Sequence, residues 1–221
     1  MKKVTSAATI LLMFGLASAA AAQTRYVAAP WTFVGTAAEC GVAGAKIVTS
    51  SWLPGMGLPD NGTANPDGKD AHLGLLLSKN GPTANCSSAG ASIVGWTSGD
   101  TLHTLGFDYR NGGHCGAGAP RFNVTDTFGN TYFFGCAAGA HSAAPQDPGQ
   151  WERVTFTASA QGFPPTFVFG VTPVASIDIV FDEGTDSTSP DDPNGVGLAV
   201  LDNIRINNTI IRNKKGAIVT P

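Results

Sequence analysis

The stretch Arg121–Cys136 reads RFNVTDTFGNTYFFGC. Two runs rich in β-branched and aromatic residues flank a Gly-Asn pair, so the chain is expected to fold back at Gly129-Asn130 in a two-residue primed turn and make a β-hairpin. Counting outward from that turn places Phe122 and Val124 on one face with Phe133, and Arg121, Asn123 and Thr125 on the other. A sheet with one apolar face needs a second layer to cover it.

The rest of the chain repeats this texture. From Trp31 onward, short apolar or alternating runs are broken by Gly, Pro, Asn and Asp: AKIVTSSW, HLGLLLS, ASIVGW, TLHTLGFDY, RFNVTD, TYFFGC, RVTFTA, TFVFGV, ASIDIVF and GLAVLDNIRIN. These ten candidate strands lie at the spacing of a sandwich or jelly roll, and no window keeps a helical period. Internal repeats and a domain-length linker are absent, so the expected fold is all-β, a single β-sandwich. Three loops stand out as irregular, residues 54–71, 137–150 and 183–195, and all contain candidate oxygen ligands or polar contacts.

The N-terminus MKKVTSAATILLMFGLASAAAAQ has a basic start, an apolar run and an Ala-x-Ala site before Gln23. It reads as a signal peptide over residues 1–22, too short for a good membrane span, leaving a domain over 23–221 that is secreted or periplasmic. No later segment is long and apolar enough to span a bilayer. Without Lys2 and Lys3 the chain keeps eleven basic against sixteen acidic residues, and no concentrated basic surface argues for a nucleic-acid partner. Cys40, Cys86, Cys115 and Cys136 all follow the leader, an even count that reads as two disulfides. Three pairings are open, and Cys40–Cys86 with Cys115–Cys136 is favoured because the latter two flank the hairpin.

One carboxylate stands out. In GLAVLDNIRIN, alternation places Asp202 with Leu198, Val200, Ile204 and Ile206 on an apolar face. An unpaired buried carboxylate is so unfavourable that the strand must bulge, an arginine (Arg110, Arg121 or Arg153) must pair with it, or a hard cation must bind it. For Ca²⁺ the candidate oxygen donors are Asp182, Glu183, Asp186, Asp191, Asp192, Asn194 and Glu39.

FDYRNGGHC, residues 107–115, gathers Tyr109, Arg110 and His114, which together have the chemistry to neutralise a uronate and move a proton, as in polysaccharide lyases. Against that, Asp108 and Arg110 share a strand face and are placed to pair, Tyr109 shares the other with Leu105 and Phe107, and His114 sits beside a cysteine. By the same parity His103 is expected in the core. No GxSxG elbow and no metal-ligand spacing of His and Cys occurs. Trp52 and Trp96 lie at strand ends next to loops and are the candidate platforms for stacking a sugar ring.

GQWERVTFTA, followed by an apolar strand and a closing strand ending LDNIRIN, resembles the second half of galactose-binding-like jelly-roll domains, the architecture of many carbohydrate-binding modules. SWLPGMGLPDNG, GFDYRNGGHCGAGAPRFNV and FDEGTDSTSPDDPNGVGLAVLDNIRIN are also similar to segments of uncharacterised secreted bacterial proteins. The resemblance implies a structural Ca²⁺ held by Asp202 with an acidic residue near the first strand, Glu39. The expected function is binding of a glycan or cell-surface polymer without catalysis. A polysaccharide-cleaving enzyme (lyase or glycosidase) and a structural or adhesive envelope protein are the alternatives.

Overall fold

The computed structural model describes residues 24–44, 47–58, 72–157 and 166–219. The leader expected over residues 1–22 lies outside them. Among the described residues thirteen strands occur in chain order: β1 (Arg25–Val34), β2 (Val48–Leu53), β3 (Gly74–Lys79), β4 (Ser87–Val94), β5 (Leu105–Arg110), β6 (Arg121–Asp126), β7 (Thr131–Gly135), β8 (Ala140–Ala143), β9 (Trp151–Phe156), β10 (Val174–Phe181), β11 (Leu198–Ile206), β12 (Thr209–Ile211) and β13 (Ala217–Ile218). A four-residue helix, α1 (Ala37–Cys40), follows β1, closed by a capping box between Thr36 and Glu39.

The strands form two antiparallel sheets. The first runs β13-β1-β4-β10-β6-β7 and the second β2-β3-β11-β5-β9-β8, with β12 paired to the far end of β11. The inward faces meet in one core that includes Leu77, Phe107, Phe122, Phe134, Phe156, Ile177 and Leu201. The expected sandwich is therefore present. Both disulfides are made in the favoured pairing: Cys40–Cys86 ties α1 to the start of β4, and Cys115–Cys136 ties the turn after β5 to the end of β7.

The hairpin forms, but its turn is longer than Gly129-Asn130 alone. Thr125 pairs with Thr131, and residues 126–130 make the loop, with Gly129 left-handed at φ 88°. The cause is Asp126. Its buried carboxylate accepts hydrogen bonds from the Phe128 and Asn130 backbone N–H groups, the Asn130 side-chain amide and the Tyr132 hydroxyl. Register moves by an odd number of residues and the second strand swaps faces. Tyr132 and Phe134 join Phe122 and Val124 in the core, while Phe133 turns outward under the Arg121 guanidinium.

Two other expectations change. TFVFGV is a turn, stabilised by the Thr172 hydroxyl on the Val168 N–H, although Phe167 still packs into the core and Phe169 against it. Conversely β1 begins at Arg25, six residues before Trp31, and contains Pro30. That proline is tolerated because β13 covers only Arg25 and Tyr26, which leaves Pro30 on a free edge.

Candidate binding site on the outer face of the second sheet

Asp202 decides how this face is built. β11 bulges between Asp202 and Arg205, with Asn203 at φ 44°. Before the bulge Ala199 and Leu201 face the core; after it Ile204 and Ile206 do, so strict alternation across the whole strand is broken. Asp202 thus shares the outer face with Leu198 and Val200. It remains 1% exposed because the segment Gly55–Leu58 lies over it. Its carboxylate accepts the Leu58 N–H at 2.7 Å and the Asn203 N–H at 2.6 Å. Gly57 has no substitute there, since a Cβ would sit 2.7 Å from the Asp202 oxygen and 2.4 Å from the Leu73 carbonyl. The Gly57 N–H also donates to the His72 carbonyl at 2.6 Å, which pins the segment from its other side.

Asp108 is the cross-strand neighbour of Asp202 and is fully buried. Arg205 donates to it at 2.7 and 3.1 Å, Arg153 at 3.0 and 3.4 Å, and the Asn203 side-chain amide at 2.7 Å. Burial raises the Asp108 pKa, but the bonds from Arg205 and Arg153, the Arg205 charge and the Asn203 bond outweigh it and hold the group below the ordinary carboxylate value. Asp108 does not pair with Arg110. That arginine is exposed and has no carboxylate partner among the described residues.

The strap Gly55–Leu58, the turn after β5 and β11 enclose two adjoining hollows. One, of about 320 Å³, is lined by Met56, Arg110, Asn111, Gly112, Leu198 and Val200. The other, of about 240 Å³, is lined by Leu58, His72, Arg110, Asp147, Gln150 and Trp151. Met56 and Arg110 belong to both and form the divide. Beneath lies a small apolar cluster of Leu58, Ala144, Trp151 and Val200.

Of the candidate site residues named from the sequence, Arg110 lines both hollows and the others fall elsewhere. Trp52 is buried in the core with its indole N–H on the Ala28 carbonyl, so it is not a stacking platform: its strand pairs with β3 and its ring bridges the two sheets. Trp96 is half-buried, donates to the Val174 carbonyl and packs on Tyr26. Tyr109, Arg110 and His114 do not converge. Tyr109 points into the core with its hydroxyl on Glu152, and burial together with the Asp191 and Glu152 charges drives its pKa far upward. Arg110 points to the opposite face. His114 is fully buried between Asp192 at Nδ1 and Glu183 at Nε2, edge-on to Phe181, and it locks the 183–195 loop to the turn after β5. Residues His141 and His103 stand at the surface, the latter outside β5, where strand parity no longer applies.

The calcium set is likewise dispersed. Asp182 makes a bidentate ion pair with Arg121, Glu39 caps α1, and Asp202 holds the strap. Among the described residues no group of three or more His, Cys, Asp or Glu is disposed to hold a metal ion. Sequence reasoning missed two cationic contacts. Lys79, 1% exposed, donates to the Thr83, Asn85 and Asp182 carbonyls, and Arg205 pairs with Asp108. The bulge in β11 brings Arg205 onto the outer face, and strict alternation along the sequence hides that.

Neither the family models, the curated proteins nor the solved structures compared with this chain gave a match.

Proposed function

We propose that the protein is an exported, non-catalytic binding domain for a glycan or cell-surface polymer, and that the paired hollows beside Arg110 are its site. One observation carries this reading: an exposed guanidinium without a carboxylate partner among the described residues divides two hollows floored by aliphatic side chains and rimmed by Asn111, Asp147 and Gln150. A saccharide presents the matching surface, apolar ring faces edged by hydroxyls. Two disulfides suit an oxidising compartment, and among the described residues no helix is long and apolar enough to cross a membrane. In the exported chain, thiol titration of denatured, unreduced protein should find no free thiol.

The test is retention on a panel of neutral and acidic polysaccharides, with product analysis in parallel. Arg110→Ala should weaken retention about tenfold or more, because hydrogen bonds from a charged donor are lost. Retention on every polymer tried that ignores Arg110, or none at all, would overturn the assignment and favour the envelope-structural alternative. The cleavage alternative uses Tyr109, Arg110 and His114, of which Tyr109 has its hydroxyl in interaction with both Glu152 and Asp191. Burial, reinforced by those carboxylates, keeps the phenol protonated, which opposes a role as base. Reducing ends or unsaturated uronate that appear with time and vanish in Glu152→Gln would reverse that judgement.

A further inference from the structure

The antiparallel registers of the first sheet put the start of β1, the end of β4, the end of β6, the starts of β7 and β10, and β13 at one end of the sandwich. Apolar side chains project there into solvent. Phe128 at the tip of the β6–β7 loop is 80% exposed, Val171 69%, Val94 54% and Val168 48%. The loops carrying Phe128 and the two turn valines are joined, because the Thr127 N–H donates to the Pro173 carbonyl at 3.0 Å.

This exposure is built. Four donors converge on the buried Asp126 carboxylate and fix the turn that holds Phe128 outward. The valine turn has its own clasp in the Thr172 hydroxyl and the Val168 carbonyl, which accepts from both Val171 and Thr172. Rigid presentation of apolar side chains to water is unfavourable alone and marks a contact surface.

Charge distinguishes the occupant. At the same end Arg25 donates to the Lys215 and Gly216 carbonyls and fixes a turn on which Lys214 and Lys215 are exposed, neither paired with a carboxylate among the described residues. Asp100 is the exposed carboxylate nearby. The acidic residues Glu39, Asp182, Glu183, Asp186, Asp191 and Asp192 follow the ends of β1 and β10 and therefore lie at the opposite end. Carboxylates gather at the end where β1 finishes, which also exposes Phe33 and Val34, whereas the Phe128 end joins its apolar tips to lysines. The apolar side chains stand on separate loop tips. They suit a fluid surface that closes around projecting side chains and carries negative charge.

We infer that this end binds the headgroup and upper acyl region of an anionic lipid bilayer, with Phe128, Val168 and Val171 inserted and Lys214 and Lys215 on the headgroups. The surface is distinct from the hollows beside Arg110 and does not depend on the glycan reading.

β1 begins at Arg25, so a chain started at Gln23 keeps every described strand and omits the stretch expected to be a leader. Its co-sedimentation with vesicles of phosphatidylcholine, with and without phosphatidylglycerol, is the measurement. Binding should require phosphatidylglycerol and weaken with salt. Phe128→Asp should reduce partitioning about tenfold or more. Reversing Lys214 and Lys215 to Glu should reduce it at least about fivefold per residue and remove most of the salt dependence. An unchanged melting temperature checks that each variant is folded. No partitioning into either vesicle, or partitioning indifferent to both variants, overturns the proposal. So does sedimentation of the protein alone showing self-association that Phe128→Asp abolishes, since that result assigns the tips to a second copy. Arg110→Ala should leave vesicle binding unchanged, and Phe128→Asp should leave polysaccharide retention unchanged.

Discussion

Asp108 and Asp202 face each other across β5 and β11, both buried, and they are satisfied in opposite ways. Asp108 is met by two guanidiniums and a side-chain amide; Asp202 is met by backbone N–H groups of a strap and of its own bulge. The first is a charge cluster whose members hold three strands together. The second positions one segment, Gly55–Leu58, which in turn supplies the divide between the two hollows. Equal burial of the same side chain therefore does not imply an equal role: the chemistry of its donors decides what is lost when it is removed.

The largest effect should follow removal of Asp108. Asp108→Ala strands Arg153 and Arg205 against one another without their carboxylate, and breaking a buried pair in this way typically destabilises by about 3–5 kcal/mol. Arg153 and Arg205 are partly exposed, at 27% and 13% of their side chains, which directs the expectation to the lower part of that range. Urea denaturation of wild type and variant measures it. A loss below about 1 kcal/mol would mean that solvent screens the cluster as it does a surface pair.

Acid should separate the two sites next. Asp108 is held below its unfolded value of 3.8, so its contribution is fully present above that pH and is lost as pH falls from there through the folded-state value. Asp126, lowered by its four donors in spite of burial, behaves with the same sign. Melting temperature should therefore fall below about pH 4, and Asp108→Asn should reduce the steepness of that fall. A profile equally steep in the variant would shift the acid sensitivity onto Asp126 and other carboxylates.

Asp202→Ala should destabilise less, by about 1–3 kcal/mol, the usual loss when buried backbone donors are left without an acceptor. It should also loosen the strap and weaken polysaccharide retention, which Asp108→Ala has no direct route to do. Comparing melting temperatures of wild type and Asp202→Ala with and without chelator tests the calcium role that the family resemblance implies. A chelator effect in wild type that disappears in the variant would place a cation at Asp202 and revise the hydrogen-bonded arrangement described above.

The sequence made much of the fold legible because its signal is local. Nine of the ten candidate runs are strands, and turn-rich spacing with cysteines flanking the hairpin led to the sandwich and the disulfide pairing. The errors came from single residues that alter parity. Asp126 lengthens a turn and reverses Phe133, while Asn203 inserts a bulge and returns Ile204 and Ile206 to the core. The strap site was less legible. Met56, Arg110 and Trp151 come from three distant segments, and nothing in their local patterns reports that they meet. Trp52 misled for a related reason: a strand-end position beside a loop does not reveal that the ring turns inward between sheets.

The smallest effect isolates the bulge itself. Asn203 sits at φ 44°, where an ordinary side chain is strained, and its amide also donates to Asp108 while its carbonyl accepts from Arg212. Asn203→Gly removes those side-chain bonds but keeps a backbone that enters the left-handed region freely; Asn203→Ala removes the same bonds and adds strain of about 1 kcal/mol. The difference between the two variants therefore reads the backbone term alone, and the loss in the glycine variant reads chiefly the side-chain network around Asp108. If alanine were as stable as glycine at this position, the bulge must relax when Asn203 is replaced. Asp202 would then rotate toward the core and release Leu58, so the alanine variant alone would lose the strap and the retention that depends on it.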